Sequence, residues 1–269
     1  MAKQEKPILL ALQYSKFDYE LAMKLAELIA DMQLTPCDCA GIMLSHTQNA
    51  PLPPKRIIDK LKAVFLNVHI YRCVNFATGW PAGCNQQAHD TYSHFFMECR
   101  SGKMDYAAVF LFEPDSVPLN RGWVTQIHKE WHNCDWDWPL GDKQHCLGAW
   151  YTQKDGCKHI NGNMLISRDF LRVYREFRSS GPAWDCAHKD ATMRHGRPSK
   201  LIASDYHLDT PRNPWKGADY LWRVREYADD NPLHGKGQVP AFLHGCKTDR
   251  AIQCVRAKYG LSFPASSPS

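Results

Sequence analysis

Apolar residues fall along this 269-residue chain in two textures, short unbroken runs and longer stretches with helical spacing. Residues 6–13 (Lys-Pro-Ile-Leu-Leu-Ala-Leu-Gln) predict a strand buried on both faces. Leu21, Leu25, Leu28, Ile29 and Met32 then recur at helical spacing, which predicts a helix with one apolar face. Ser15, with Asp18 three positions on, has the form of a capping arrangement for that helix. Residues 40–44 predict a second strand, 49–54 a proline-rich loop, 56–65 a short helix and 68–74 a third strand. Gly79-Trp-Pro-Ala-Gly-Cys-Asn85 reads as a turn-rich loop opening a helix that runs to about Cys99. The stretch 106–119 is then an apolar, β-branched and aromatic run that stops at two carboxylates, Glu113 and Asp115, one proline apart.

The second half is less regular. Residues 122–133 predict a helix, 146–153 a strand, and Ile160-Asn-Gly-Asn-Met-Leu-Ile-Ser167 a turn feeding another strand. A charged helix is expected over 168–178, and only short elements over 181–240, a composition that builds a site or lid rather than a core. Strands alternating with helices predict an α/β fold with a mostly parallel sheet flanked by helices. No Gly-x-Gly-x-x-Gly follows the first strand, and no Gly-x-x-x-x-Gly-Lys occurs anywhere. Dinucleotide-binding and P-loop chemistries are therefore disfavoured.

With 44% apolar residues the chain can bury one sizeable core, and no run reaches the length of a membrane span. The start leads straight into a strand-like segment, so no secretory or transit peptide is expected and the location expected is cytoplasmic. Eleven cysteines without zinc-finger spacing suit free thiols in a reducing compartment. Net charge is +5, and from Gly181 onward 13 Lys and Arg face 9 Asp and Glu, interleaved with Trp184, Tyr206, Trp215 and Trp222. That pattern is permissive of a polyanionic partner.

In open α/β sheets ligands sit outside the carboxyl ends of the strands, where Glu113 and Asp115 fall. Carboxylates there suit a divalent cation and a phosphorylated substrate; the competing reading is a surface turn. The order of residues from His128 to His132 does not match a zinc protease site, because Lys129 stands where the glutamate is required; the pair reads as surface or interface residues. Two glycines and a proline near Asn85 could present N–H groups to an anion, or Asn85 could simply cap the helix. Gly162 between Asn161 and Asn163 reads as a tight turn that lets a sugar approach, or as an ordinary hairpin or bulge turn.

Taken in order, Glu113-Pro-Asp115, Asn161-Gly-Asn163, Trp184-Asp185 and His244-Gly-Cys-Lys247 resemble the GT-A class of nucleotide-sugar glycosyltransferases over roughly residues 6–250. The resemblance implies a GT-A-like Rossmann-type sheet with a nucleotide-sugar half (1–120), an irregular acceptor-side half of the same domain (121–263) and a tail (264–269). It implies manganese or magnesium on Asp115 and His244, and a nucleotide-sugar donor, a UDP-sugar before others, contacted by Trp80, Asn85, Glu113 and Lys247. Asn161, Gly162, Asn163 and Trp184 would face the sugar or acceptor. Asp185 would be the general base, with Asp190 and Asp205 as rivals. Glu for the first acid and Pro in the middle depart from the class pattern and leave Asp115 the stronger ligand. The basic, aromatic C-terminal half suggests an acceptor such as DNA carrying hydroxymethylated pyrimidines, as in viruses that modify their genomes, which would place the enzyme in the host cytoplasm. The alternatives are a nucleotidyltransferase, disfavoured by Gln13-Tyr-Ser-Lys-Phe17 after the first strand, and a non-catalytic DNA-binding or assembly protein.

Overall fold

The computed structural model describes residues 5–74, 79–133, 145–152, 158–173, 183–204 and 240–262. Strand β1 (Ile8–Tyr14) is wholly buried, and its alternation divides the core. Ile8, Leu10, Leu12 and Tyr14 face one layer, while Leu9 and Ala11 face the other. Helix α1 (Tyr19–Met32), β2 (Ala40–His46), α2 (Lys55–Lys62) and β3 (Val68–Arg72) follow as parallel β–α units. Helix α3 (Ala82–Arg100) leads to β4 (Ala108–Phe112), which pairs in parallel with β1. Leu25, Leu28, Ile29 and Met32 of α1 are buried, as the spacing predicts. Asp18, not Ser15, occupies the N-cap position of α1, and its carboxylate accepts from Ser15 N and Oγ.

Beyond β4 come β5 (Ser116–Pro118), α4 (Trp123–Asn133), β6 (Cys146–Thr152) and β7 (Lys158–Ser167). The short elements α5 (Phe170–Val173), α6 (Trp184–Ala187), α7 (Lys189–His195), β8 (Gly196–Pro198) and β9 (Ile202–Ser204) follow. The described chain closes with β10 (Phe242–His244) and α8 (Arg250–Tyr259). The main sheet has the order β3-β2-β1-β4-β7-β6-β8, so it takes strands from both sides of residue 120. Its β3-to-β4 half is parallel, and β7 runs antiparallel to both β4 and β6. Helices α1, α2, α4 and α8 contribute to the core on one face, and α3, α6 and α7 to that on the other.

Three expectations need correction. Asn161-Gly162-Asn163 is not a hairpin turn but lies within β7, where the register against β6 shifts between the Gly148–Met164 and Trp150–Ile160 pairs, a bulge in the strand. A second sheet, β5-β10-β9, is not expected from the sequence; each of its strands is three residues long. His128 is buried rather than a surface residue, and the imidazole Nε2 atoms of His128 and His132 both meet the Lys6 carbonyl, at 3.2 and 2.8 Å. Of the helix expected over 168–178, Phe170–Val173 is helical and 174–178 lies outside the described residues. Among the described residues no helix is long and apolar enough to cross a membrane.

Candidate active site

Strand β4 stops where the apolar run stops, and Glu113 and Asp115 leave the sheet together. What holds them is β7. Asn163 Oδ1 accepts from Glu113 N and from Ser116 Oγ, both at 3.0 Å. Asn163 in turn donates from its backbone N–H and its Nδ2 to Asn161 Oδ1, at 3.1 and 3.0 Å. Both asparagines are buried, and through these bonds they hold the acidic strand end from behind.

The second sheet brings the late histidine to the acids. His244 pairs with Ser116 across β5 and β10. The next residue, Gly245, has φ of 109°, a conformation that favours glycine, and lets the chain turn back. Gly245 N and Cys246 N then donate to Asp115 O at 2.9 and 2.7 Å. That turn delivers the Lys247 ammonium onto the Asp115 carboxylate. His244 Nε2 lies 3.2 Å from Asp115 Oδ1 and 3.4 Å from Glu113 Oε2, while its Nδ1 faces Ser204 Oγ at 2.9 Å. One ligand atom from each of Glu113, Asp115 and His244 lies within 4.8 Å of the other two.

This donor set fits a divalent cation. Asp115 Oδ1 is a buried oxygen that makes no well-formed hydrogen bond among the described residues. Two carboxylates and one imidazole suit manganese or magnesium, with the nitrogen favouring manganese. Bonding of the remote Nδ1 to Ser204 is the arrangement that orients a ligating imidazole. Nothing in the sequence around Ser204 marks it for this role.

Electrostatics follow from burial and pairing. Burial alone would lower His244, but Asp115 and then Glu113 outweigh it and raise the imidazole to about 9. Burial likewise opposes ionisation of Asp115, yet His244 and Lys247 hold it well below the usual carboxylate range. The two shifts report one attraction and count once. Because the folded value of His244 lies above its ordinary value of about 6.5, its contribution is complete below that pH and is lost as pH rises through the folded value. Folding stability of the metal-free protein is therefore expected to fall by on the order of 3 kcal/mol across that window, a dependence absent from His244→Gln. A flat wild-type profile would contradict the pairing.

A cleft of about 220 Å³ opens beside the acids, lined by Gln13, Ser15, Phe17, Asp18, Thr47, Gly79, Trp80, Gly83, Cys84, Gln87 and Glu113. It lies at the carboxyl ends of β1 and β2 and the start of α3, where α/β sheets bind ligands. Trp80 and Phe17 are largely exposed on its lining. Asn85 does not cap α3, whose N-cap is Pro81; it is buried in the helix and is not a lining residue. The lining residues from the β1 end, Gln13, Ser15 and Asp18, are absent from the sequence-based site, although the strand-end rule that marks Glu113 applies equally to them.

Trp184 and Asp185 of α6 pack on Gly162. A Cβ there would lie 3.2 Å from Trp184 Nε1 and 3.7 Å from Asp185 Oδ2, so the glycine permits the approach. Asp185 accepts from Gly162 N at 3.1 Å and Cys186 N at 2.9 Å. Burial raises its carboxyl, but His159 and these two N–H groups outweigh it and lower it. Burial first, and then the charges of Glu113, Asp18, Asp115 and Asp185, push the Cys84 thiol up to about 12. Asp190 is exposed in α7, and Asp205 lies outside the described residues.

No protein-family profile matches the sequence, and no curated protein matches it. Solved structures do. The chain is similar to the mannosyltransferase PcManGT from Pyrobaculum calidifontis, in complex with GDP-Man and Mn2+, at 10% identity and a TM-score of 0.51, over 95% of this chain and 69% of that one. It is also similar to an active-site mutant of LgtC, at 11% identity and a TM-score of 0.50, over 96% of this chain and 98% of that one. The fold is thus that of GT-A-type glycosyltransferases, a central mostly parallel sheet flanked by helices. Identity this low carries the fold and not the activity.

Proposed function

We propose that this chain is a metal-dependent glycosyltransferase that moves a sugar from a nucleotide-sugar to a hydroxyl acceptor. The observation that carries the reading is the convergence of Glu113, Asp115 and His244 beside the strand-end cleft. Those three residues would hold manganese or magnesium, which when bound supplies Lewis-acid stabilisation of the departing nucleoside diphosphate. Lys247 adds a cation beside Asp115 and would pair with the diphosphate. Trp80 and Phe17 offer aromatic faces to the base or sugar, and Glu113, half exposed, can accept from a ribose or sugar hydroxyl. Asp185 stays ionised and accepts the acceptor's proton if configuration is inverted.

The donor supported by the similar mannosyltransferase is a nucleoside-diphosphate sugar of some base. For the acceptor, the basic and aromatic stretch after Gly181 favours a polyanion, with hydroxymethylated pyrimidine DNA as the proposed case. Incubation with a panel of nucleotide-sugars and manganese tests the whole reading. Release of nucleoside diphosphate that stops on chelation is expected. A nucleotidyltransferase would leave the nucleotide-sugars intact and release pyrophosphate only when given a nucleoside triphosphate and a sugar 1-phosphate, and a binding protein would turn over neither. DNA binding, if it serves the acceptor, should weaken about tenfold or more between roughly 50 and 200 mM salt. Salt-insensitive binding, or none, removes DNA from the proposal.

A further inference from the structure

We propose that His159, Asp185 and Cys186 form a second metal site, suited to a thiophilic divalent cation of the zinc class. Cys186 Sγ lies 4.0 Å from His159 Nε2, and Asp185 Oδ2 lies 3.6 Å from the same nitrogen. A Cys–His–Asp proton relay needs the thiol and the carboxylate on opposite nitrogens of the ring, so the cluster is not one. Convergence of sulfur, nitrogen and oxygen on one point is instead chelate geometry. Tetrahedral zinc, with its usual bond lengths, separates sulfur from nitrogen by about 3.6 Å and nitrogen from oxygen by about 3.4 Å. The two separations from His159 Nε2 stand within a few tenths of an ångström of that arrangement, and one ligand atom from each residue lies within 4.8 Å of the other two.

The fold has built this convergence. His159 comes from β7 and the other two from α6, which Gly162 allows to approach. The N–H groups of Gly162 and Cys186 fix both carboxylate oxygens. His159 and Asp185 are buried, while Cys186 is partly exposed, which gives an ion a path and leaves a position for water. The two metal clusters differ in softness. Glu113, Asp115 and His244 offer two oxygens and a nitrogen, whereas a thiolate here selects zinc over manganese or magnesium. Binding displaces the Cys186 thiol proton to solvent. It also engages Asp185, so zinc should inhibit transfer without displacing manganese; this consequence rests on the function proposed above, while the binding itself does not.

Cobalt(II) is the probe, titrated into the full chain in saturating magnesium. The expected result is a thiolate-to-cobalt charge-transfer band that zinc abolishes, absent from Cys186→Ser and requiring about tenfold or more cobalt in His159→Gln. Cys39→Ser should retain the band, since Cys37 and Cys39, with sulfurs 3.4 Å apart, are the competing thiol source. No band in wild type, a band surviving in Cys186→Ser, or loss in Cys39→Ser would each overturn the site. Cys186 is partly exposed, so its variant decides the question even if His159→Gln misfolds. Zinc inhibition of wild type but not of Cys186→Ser supports the link to Asp185. Zinc binding without inhibition overturns the base assignment alone, and absence of any transferase activity overturns the proposed function while the cobalt result stands.

Discussion

Asp115→Asn is expected to lower sugar transfer at least about 100-fold while the fold survives. The main chain at Asp115 is secured independently of its carboxylate, since its carbonyl accepts from Gly245 N and Cys246 N. The side chain, by contrast, is the buried anion between His244 and Lys247. Asparagine keeps the shape and removes the charge, so a cation held by Glu113 and His244 loses its most buried anionic ligand. The manganese requirement for turnover should rise in parallel. Circular dichroism separates this from unfolding, and a variant with wild-type turnover would sink the metal assignment.

The second large effect is expected at Asn163, behind the proposed metal cluster. Asn163→Ala leaves Glu113 N–H and Ser116 Oγ–H without their acceptor, and Asn161 Oδ1 without its side-chain donor. Stranding buried polar groups should cost about 2–3 kcal/mol in urea unfolding. Because the lost bonds hold the strand end that carries Glu113 and Asp115, manganese affinity should also fall about 10–100-fold. Lower stability with unchanged manganese affinity would show that Asn163 supports the sheet but does not position the acids.

How far the chain can be read follows from these residues. Strands β1, β2 and β4 are buried on both faces, so their sequences are unbroken apolar runs, and the acids at 113 and 115 announce themselves as the place where such a run ends. His244 and Lys247 are legible from their order after those acids. The sheet that delivers them is not, because three-residue strands carry no periodicity. Asn161 and Asn163 are legible only in part, as a bulge and not as a hairpin, for a different reason. Asparagine and glycine favour turns, but here tertiary bonds to the β4 end satisfy the amides inside a strand. The direction of β7 is likewise set by its neighbours and not by its own residues. His159 gives no local signal, since only folding carries it to Asp185.

Calorimetric titration of a nucleoside diphosphate panel into wild type and Asp115→Asn, each with and without manganese, tests the central claim most directly. The expected result is binding of one preferred nucleoside diphosphate by wild type only when manganese is present, and none of comparable strength by the variant. Equal binding in all four conditions, or no binding in any, would contradict a cation at Asp115 that holds the donor's diphosphate.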